Sequence, residues 1–292
     1  MVARAHPLDS HAVPPLATAD DGVPIAFEEH GTGVPLLLIA GQATGMHGWG
    51  PFARALAAES SVAGSLGAGV AASLRAAPSS TARVIVFDHR GIGDSGAGDP
   101  TRYSTWLFAD DALAVLDAAG VSAAHVLGHS MGGRVAQWLA AEHPTRVRRL
   151  VLIGTTATDR AGGPDERRDP AAIADLLSGD RERMVPLFFD AGWAEANPEA
   201  VAGFFDRVAS RPALRGHFAA SRDHDAREVL GRIRAETLVI HGRGDALTPV
   251  AHARLLAAAI PRARLLEFDA RHGLHLDTPA VREAVHAFLA TP

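Results

Sequence analysis

Six short apolar runs recur along the chain: PLLLIA (35–40), RVIVF (83–87), AHVLG (124–128), RLVLIG (149–154), TLVIHG (237–242) and ARLLEF (263–268). Runs of this length that do not alternate with polar residues read as strands buried on both faces. Helical spacing fills the intervals at 51–59, 103–119, 131–143, 249–259 and 278–290. Strands alternating with helices build a mainly parallel sheet covered on both sides, so the pattern predicts an α/β fold. At 292 residues the chain accommodates one large domain or two small ones. Ahead of the first buried run, LATADDGVPIAFEEHG places two extended stretches around Asp20-Asp21-Gly22, which predicts a hairpin.

Two segments break the alternation. Residues 60–82 are small and polar and are expected to form a surface loop insertion. Residues 158–232 carry helical patterns without a strand signature, which predicts a helical cap inserted into an α/β core of 16–157 and 233–292. The first 15 residues are expected to be a flexible leader. They lack the continuous apolar region of a secretory signal, and a cytoplasmic protein is expected.

Composition removes several chemistries. Without cysteine there is no thiolate nucleophile, disulfide or zinc–thiolate site, and all 28 basic side chains are arginine. The missing lysine excludes a Schiff base and a P-loop. A net charge of −5 supplies no basic footprint for nucleic acid. No apolar run approaches the roughly 18–20 residues of a membrane helix. The Asp88/His89 and His241/Arg243 pairs lack metal-ligand spacing with a further partner, so neither metal nor cofactor is expected. The partner implied is a small-molecule substrate.

Against that background the stretch Gly128-His129-Ser130-Met131-Gly132-Gly133 stands out, because it follows the run AHVLG and opens the helical pattern RVAQWLAAEH. A G-x-S-x-G between strand and helix is a nucleophile elbow: the turn strains Ser130, and side chains two residues before and after it would collide. A serine needs a base, and the base an orienting carboxylate; in a fold built on such an elbow the expected chain order is Ser, then Asp or Glu, then His. Asp245, in HGRGDALTP, and His272, in RHGLHLDTP, both lie just past buried strands, at the sheet edge where Ser130 sits. Asp159 is the rival carboxylate. His275 reads as a packing residue and Asp277 as the N-cap of the last helix. The glycine-rich loop in LLLIAGQATGMHGWG (36–50) brings backbone N–H groups toward something negative, a phosphate or an oxyanion. Gly91-Ile92-Gly93-Asp94-Ser95-Gly96 matches the dinucleotide G-x-G-x-x-G, but Pro100 soon after argues for a loop where that fingerprint needs a helix.

GHSMGG, HGRGDALTP and RHGLHLDTP, together with FDHRGIGDSG (87–96), resemble the α/β-hydrolase superfamily, in particular its cap-bearing bacterial esterase, lactonase and haloperoxidase-like group. The resemblance runs from about residue 20 to the C-terminus. It implies an α/β-hydrolase fold with an inserted helical cap. The family's last motif is His, a carboxylate five positions on and Pro seven on. His272, Asp277 and Pro279 fit it, which selects His272 over His275. The turn D-x-R-G-x-G-x-S, matched by Asp88, Arg90, Gly91, Gly93 and Ser95, is structural in the family. The resemblance makes the backbone N–H groups of Gln42 and Met131 the oxyanion hole, although relatives usually begin the first loop His-Gly where this chain has Ala40-Gly41.

The chemistry implied is acyl transfer on a small to medium hydrophobic ester, lactone or thioester. Trp193, Phe188 and Phe189 are expected in its pocket, among cap aromatics that include Phe204, Phe205 and Phe218. Carbon–carbon bond hydrolysis and perhydrolysis use the same three residues. Relatives performing the former usually carry Trp after the histidine, where Gly273 stands here. A ligand receptor is the non-catalytic alternative.

Overall fold

The computed structural model describes residues 13–58, 81–160, 164–206 and 208–290. The expected insertion at 60–82, apart from its last two residues, lies outside them, as do the first twelve residues of the expected leader. The strands are β1 (Leu16–Thr18), β2 (Pro24–His30), β3 (Val34–Ile39), β4 (Ala82–Phe87), β5 (Ala124–His129), β6 (Val147–Ile153), β7 (Glu236–Gly242) and β8 (Ala263–Phe268). They form one sheet in the order β1-β2-β4-β3-β5-β6-β7-β8. β1 and β2 are the expected hairpin, with Leu16 opposite Ala26 and Gly22 at φ 82° in the turn. β2 meets β4 antiparallel, and every pair from β4 to β8 is parallel.

Why the strands are apolar throughout follows from their two coverings. Successive side chains of a strand point to opposite faces. Leu37 and Ile39 of β3 enter one core layer with Ile85 and Phe87 of β4, while Leu36 and Leu38 enter the other with Val84 and Val86. The first layer is closed by helices α2 (Thr105–Ala118), α3 (Met131–Glu142) and α9 (Ala251–Ala259), the second by α1 (Gly50–Ala57) and α11 (Pro279–Leu289). Both sides of the sheet are therefore dry, and alternation disappears from the sequence.

Between β6 and β7 the chain forms α4 (Pro170–Leu177), α5 (Arg181–Phe188), α6 (Ala191–Ala196), α7 (Pro198–Phe204) and α8 (Arg211–Arg222). Their starts are written locally: Asp169, Asp180, Asp190 and Ser210 accept a hydrogen bond from the first turn of α4, α5, α6 and α8. The first four of these helices share an apolar cluster with Phe188, Phe189, Phe204 and Phe205 at its centre, which Leu247 joins from the loop after β7, while Ala213 and Ala220 of α8 pack into the first core layer. Single bridges pair Thr158 with Asp225 and Ile92 with Ala209.

One expectation is corrected here. Asp277 does not cap the last helix; it ends a short turn, α10 (Leu274–Asp277), and Thr278 occupies the N-cap position of α11 without a side-chain bond. The Asp277 carboxylate instead accepts the N–H of Asp190 at 3.0 Å and the Thr278 hydroxyl at 2.9 Å. An exposed backbone donor at the start of α6 outcompetes the helix that the sequence put next in line. No helix among the described residues is long and apolar enough to cross a membrane.

Candidate active site

Ser130 sits between β5 and α3 at φ 54°, one of two non-glycine residues with positive φ among those described. The strain is enforced by packing. A Cβ on Gly128 would stand 2.3 Å from the Gly132 carbonyl oxygen, and one on Gly132 would stand 1.9 Å from that of Ile39. A Cβ on Gly133 would meet the Thr155 side chain at 2.6 Å. Glycine at these three positions lets the start of α3 press against β3 and β5 and turns Ser130 outward. The Ser130 N–H donates to the Ile153 carbonyl at 2.9 Å, and its own carbonyl accepts the Thr155 hydroxyl at 2.7 Å.

His272 enters from the loop after β8. Its Nε2 lies 2.9 Å from Ser130 Oγ and its Nδ1 lies 2.6 Å from Asp245 Oδ2. Burial opposes ionisation of Asp245, but the neighbouring His272, with His241, outweighs it and holds the carboxyl well below its usual range. An ionised carboxylate only accepts, so the proton of neutral His272 belongs on Nδ1 and Nε2 accepts from the Ser130 hydroxyl. Asp245 is itself fixed: its Oδ1 accepts the N–H groups of Leu247 at 2.9 Å and Thr248 at 2.8 Å. The His272 carbonyl accepts from His129 Nε2 at 2.9 Å, which orients the loop from below. Burial, with the nearby His272, pushes His129 down to about 3, so it is a neutral donor at ordinary pH.

The rivals stand elsewhere. Asp159 lies in ion pairs with Arg134 and Arg168, each at 2.6 Å, rather than against His272. His275 is buried in a ring cluster with Trp49, Phe52 and His129. The dinucleotide-like turn is a brace: Asp88 accepts the Met46 N–H at 2.7 Å and the Asp94 N–H at 3.1 Å, tying it to the loop after β3. His89 Nε2 donates to the Ala40 carbonyl at 3.0 Å.

Gly41 packs beneath the nucleophile position, where an added Cβ would touch Ser130 Cβ at 3.4 Å and His129 Nδ1 at 3.3 Å. Gln42 follows it, and Met131 follows Ser130. Neither backbone N–H donates in any loop or turn hydrogen bond among the described residues. Both follow closely on a strand end, and Met131 also heads α3, whose dipole is positive there.

A cavity of about 830 Å³ opens over Ser130 and His272, with Gln42, Phe188 and Phe204 in its walls. Of the three aromatics expected there, Phe188 lines it; Phe189 and Trp193 do not. Phe189 is fully buried, with its ring against Gly273, where a Cβ would come within 2.3 Å of Cε1, and Trp193 packs on the same ring at 5.1 Å between centroids. The cap therefore spends Phe189 on roofing the His272 loop. Phe218, Arg134, Asp159 and Arg168 also line the cavity. Sequence reasoning did not find the two arginines as site residues, because nothing local marks an arginine on a helix or in a loop as facing a cavity.

A family model for the alpha/beta hydrolase fold matches residues 34–279. A protein of Azorhizobium caulinodans, whose provisional name is carbamate hydrolase RutD, is 34% identical over 264 residues, covering 87% of this chain and 90% of its own. The 2-hydroxymuconate semialdehyde hydrolase of Pseudomonas putida is 34% identical over 256 residues, covering 83% and 81%. Among solved structures, the enol-lactonase from Burkholderia xenovorans superposes with a TM-score of 0.72 at 26% identity, over 95% of this chain and 100% of that one. Sheet order, elbow and family match agree: the chain belongs to the α/β-hydrolase family and is an α/β-fold hydrolase.

Proposed function

We propose that the protein is a serine hydrolase that cleaves a small to medium hydrophobic carboxylic ester, lactone or thioester through an acyl-enzyme. The observation that carries this reading is the unbroken hydrogen-bonded series from Ser130 Oγ through His272 to Asp245 at the floor of the cavity. In this scheme Ser130 attacks the carbonyl carbon while His272 Nε2 takes its proton and passes it to the leaving oxygen or sulfur. Asp245 keeps the imidazole in the right tautomer and stabilises it when charged. The N–H groups of Gln42 and Met131 receive the oxyanion. Water then repeats the attack and frees Ser130. The carbamate hydrolase and enol-lactonase names among the relatives describe attack on a carbonyl carbon bearing a heteroatom, the same chemistry.

Carbon–carbon bond hydrolysis is the second reading, favoured by the similarity to the 2-hydroxymuconate semialdehyde hydrolase. The position after His272 speaks against it, since Gly273 is pressed on Phe189 and has no room for an aromatic side chain.

Incubation with a fluorophosphonate followed by peptide mass spectrometry tests the mechanism. A single adduct on Ser130, absent after His272→Ala, is expected; modification elsewhere, or none on active protein, overturns it. A panel of esters, lactones and a dienone separates the two readings by which bond is cut.

A further inference from the structure

One wall of the cavity is charged in a way that ester hydrolysis alone does not require. Arg134 stands in the first turn of α3, close behind Ser130 in the chain. Both line the cavity, as do Asp159 from the loop after β6 and Arg168 from the segment leading into α4. Arg134 is only 4% exposed. Its Nη2 meets Asp159 Oδ1 at 2.6 Å, and Arg168 Nη2 meets the same oxygen at 2.6 Å. Another Arg134 nitrogen donates to the Ser221 carbonyl, while its Nε is buried without a partner. A single carboxylate thus answers two guanidinium groups. Arg215 of α8 adds a further cation to the lining, whereas Arg222, also in the wall, is paired with Asp223 at 2.8 Å; no second carboxylate lines the cavity among the described residues.

A buried cation that is half-compensated is costly, and the excess positive charge is a standing field for an anion. We infer that this wall is a carboxylate subsite: the substrate is an acid-bearing ester or lactone whose anionic end is gripped by Arg168 and Arg134 while its carbonyl sits at Ser130. This rests on the hydrolytic reading for the position of the carbonyl, not for the anion site itself. Asp159 is the internal competitor. It draws both guanidinium groups to one oxygen, and it shares them when the anion arrives. The pocket's Phe188, Phe204 and Phe218 would then contact the methylene chain between the two polar ends.

The test pairs a half-ester with its neutral diester: monoethyl against diethyl succinate, glutarate and adipate. Binding is measured calorimetrically on Ser130→Ala protein, which cannot turn over, and kcat/KM on the wild type. Expected is a preference for the best half-ester of about tenfold or more in both readouts, the lower end for a charge-assisted hydrogen bond. Arg168→Gln, at a side chain 31% exposed and so tolerant of change, should bring the ratio near one. Asp159→Asn, which removes the competitor, should raise it, an effect no merely structural role produces. Equal binding of the two esters, or a ratio unmoved by Arg168→Gln, overturns the subsite. If wild-type protein cleaves both esters without preference, the hydrolytic reading survives and the subsite falls. If Ser130→Ala protein prefers the half-ester and wild type cleaves neither, the subsite survives and the hydrolytic reading falls.

Discussion

At the scale of single residues, the donors and acceptors around Ser130 assign each group a separable effect. Asp245 has both oxygens engaged, one by His272 and one by two backbone N–H groups. Asp245→Asn would keep the shape but offer His272 Nδ1 an amide able to donate, which favours the wrong tautomer. We expect kcat on a p-nitrophenyl ester to fall by about 10³–10⁴, as when a triad carboxylate is amidated. Asp159→Asn should leave turnover of a neutral ester within about tenfold, because that carboxylate does not touch His272. A larger loss with Asp159→Asn than with Asp245→Asn would reverse the assignment. Gln42 is proposed to act through its backbone. Gln42→Ala keeps the N–H and should be nearly silent, whereas Gln42→Pro removes it and should lower kcat about 10²–10³ at similar KM. Equal effects of the two substitutions would move the role to the Gln42 side chain.

Among secondary elements, those that the sequence displays are the ones whose reasons are local. Six apolar runs became strands because helices close both faces of the sheet, and the serine motif sits between β5 and α3 because only glycine fits where α3 meets β3. Asp245 and His272 were legible as partners of Ser130 because each follows a strand that ends at the same edge. What stayed hidden depends on contacts between distant segments. Asp277 was drawn to the N–H of Asp190, Phe189 to Gly273, and Arg134 and Arg168 to Asp159, none of which a local pattern announces. Arg90 shows how such long-range ties hold the elements. From the turn after β4 it reaches Asp111 of α2 at 2.7 Å and Asp21 of the first hairpin at 2.8 Å, and Asp111 is fully buried. Arg90→Met would strand that carboxylate. Removal of one partner of a buried pair costs about 3–5 kcal/mol. Urea unfolding should register a loss of this order, and an unchanged midpoint would mean that Asp111 finds another donor. The double variant Arg90→Met with Asp111→Leu should recover much of it, because no buried charge then remains against α2.

For the whole molecule, the internal histidines set how the fold meets acid. His89, His129 and His217 are buried with their charged forms disfavoured: burial, then a neighbouring histidine, brings His89 to about 3 and His129 to about 3, and burial brings His217 to about 4. His89 and His217 also stand ring to ring at 5.8 Å, each donating to a backbone carbonyl, of Ala40 and Arg90 respectively. In the unfolded chain each would titrate near 6.5. The unfolded state therefore binds more protons than the native one from about pH 6.5 down to 3 or 4, and stability falls as pH falls through that window. At pH 5 each histidine withdraws about 2 kcal/mol relative to neutral pH, so the three together remove on the order of 5 kcal/mol. Asp245, held low in the native state, acts in the same direction, but its share is lost only as pH approaches and passes its unfolded pKa near 3.9, so it adds little between pH 7 and pH 5. A loss of that size is comparable to the whole net stability of a typical domain, about 5–15 kcal/mol. The urea midpoint should thus drop steeply between pH 7 and pH 5. His217→Asn, which keeps an amide donor for the Arg90 carbonyl and does not charge, should flatten the pH slope even where it lowers stability at pH 7. A slope unchanged in this variant would assign the acid sensitivity to other groups, because His217 would then no longer be among those that resist protonation in the native state.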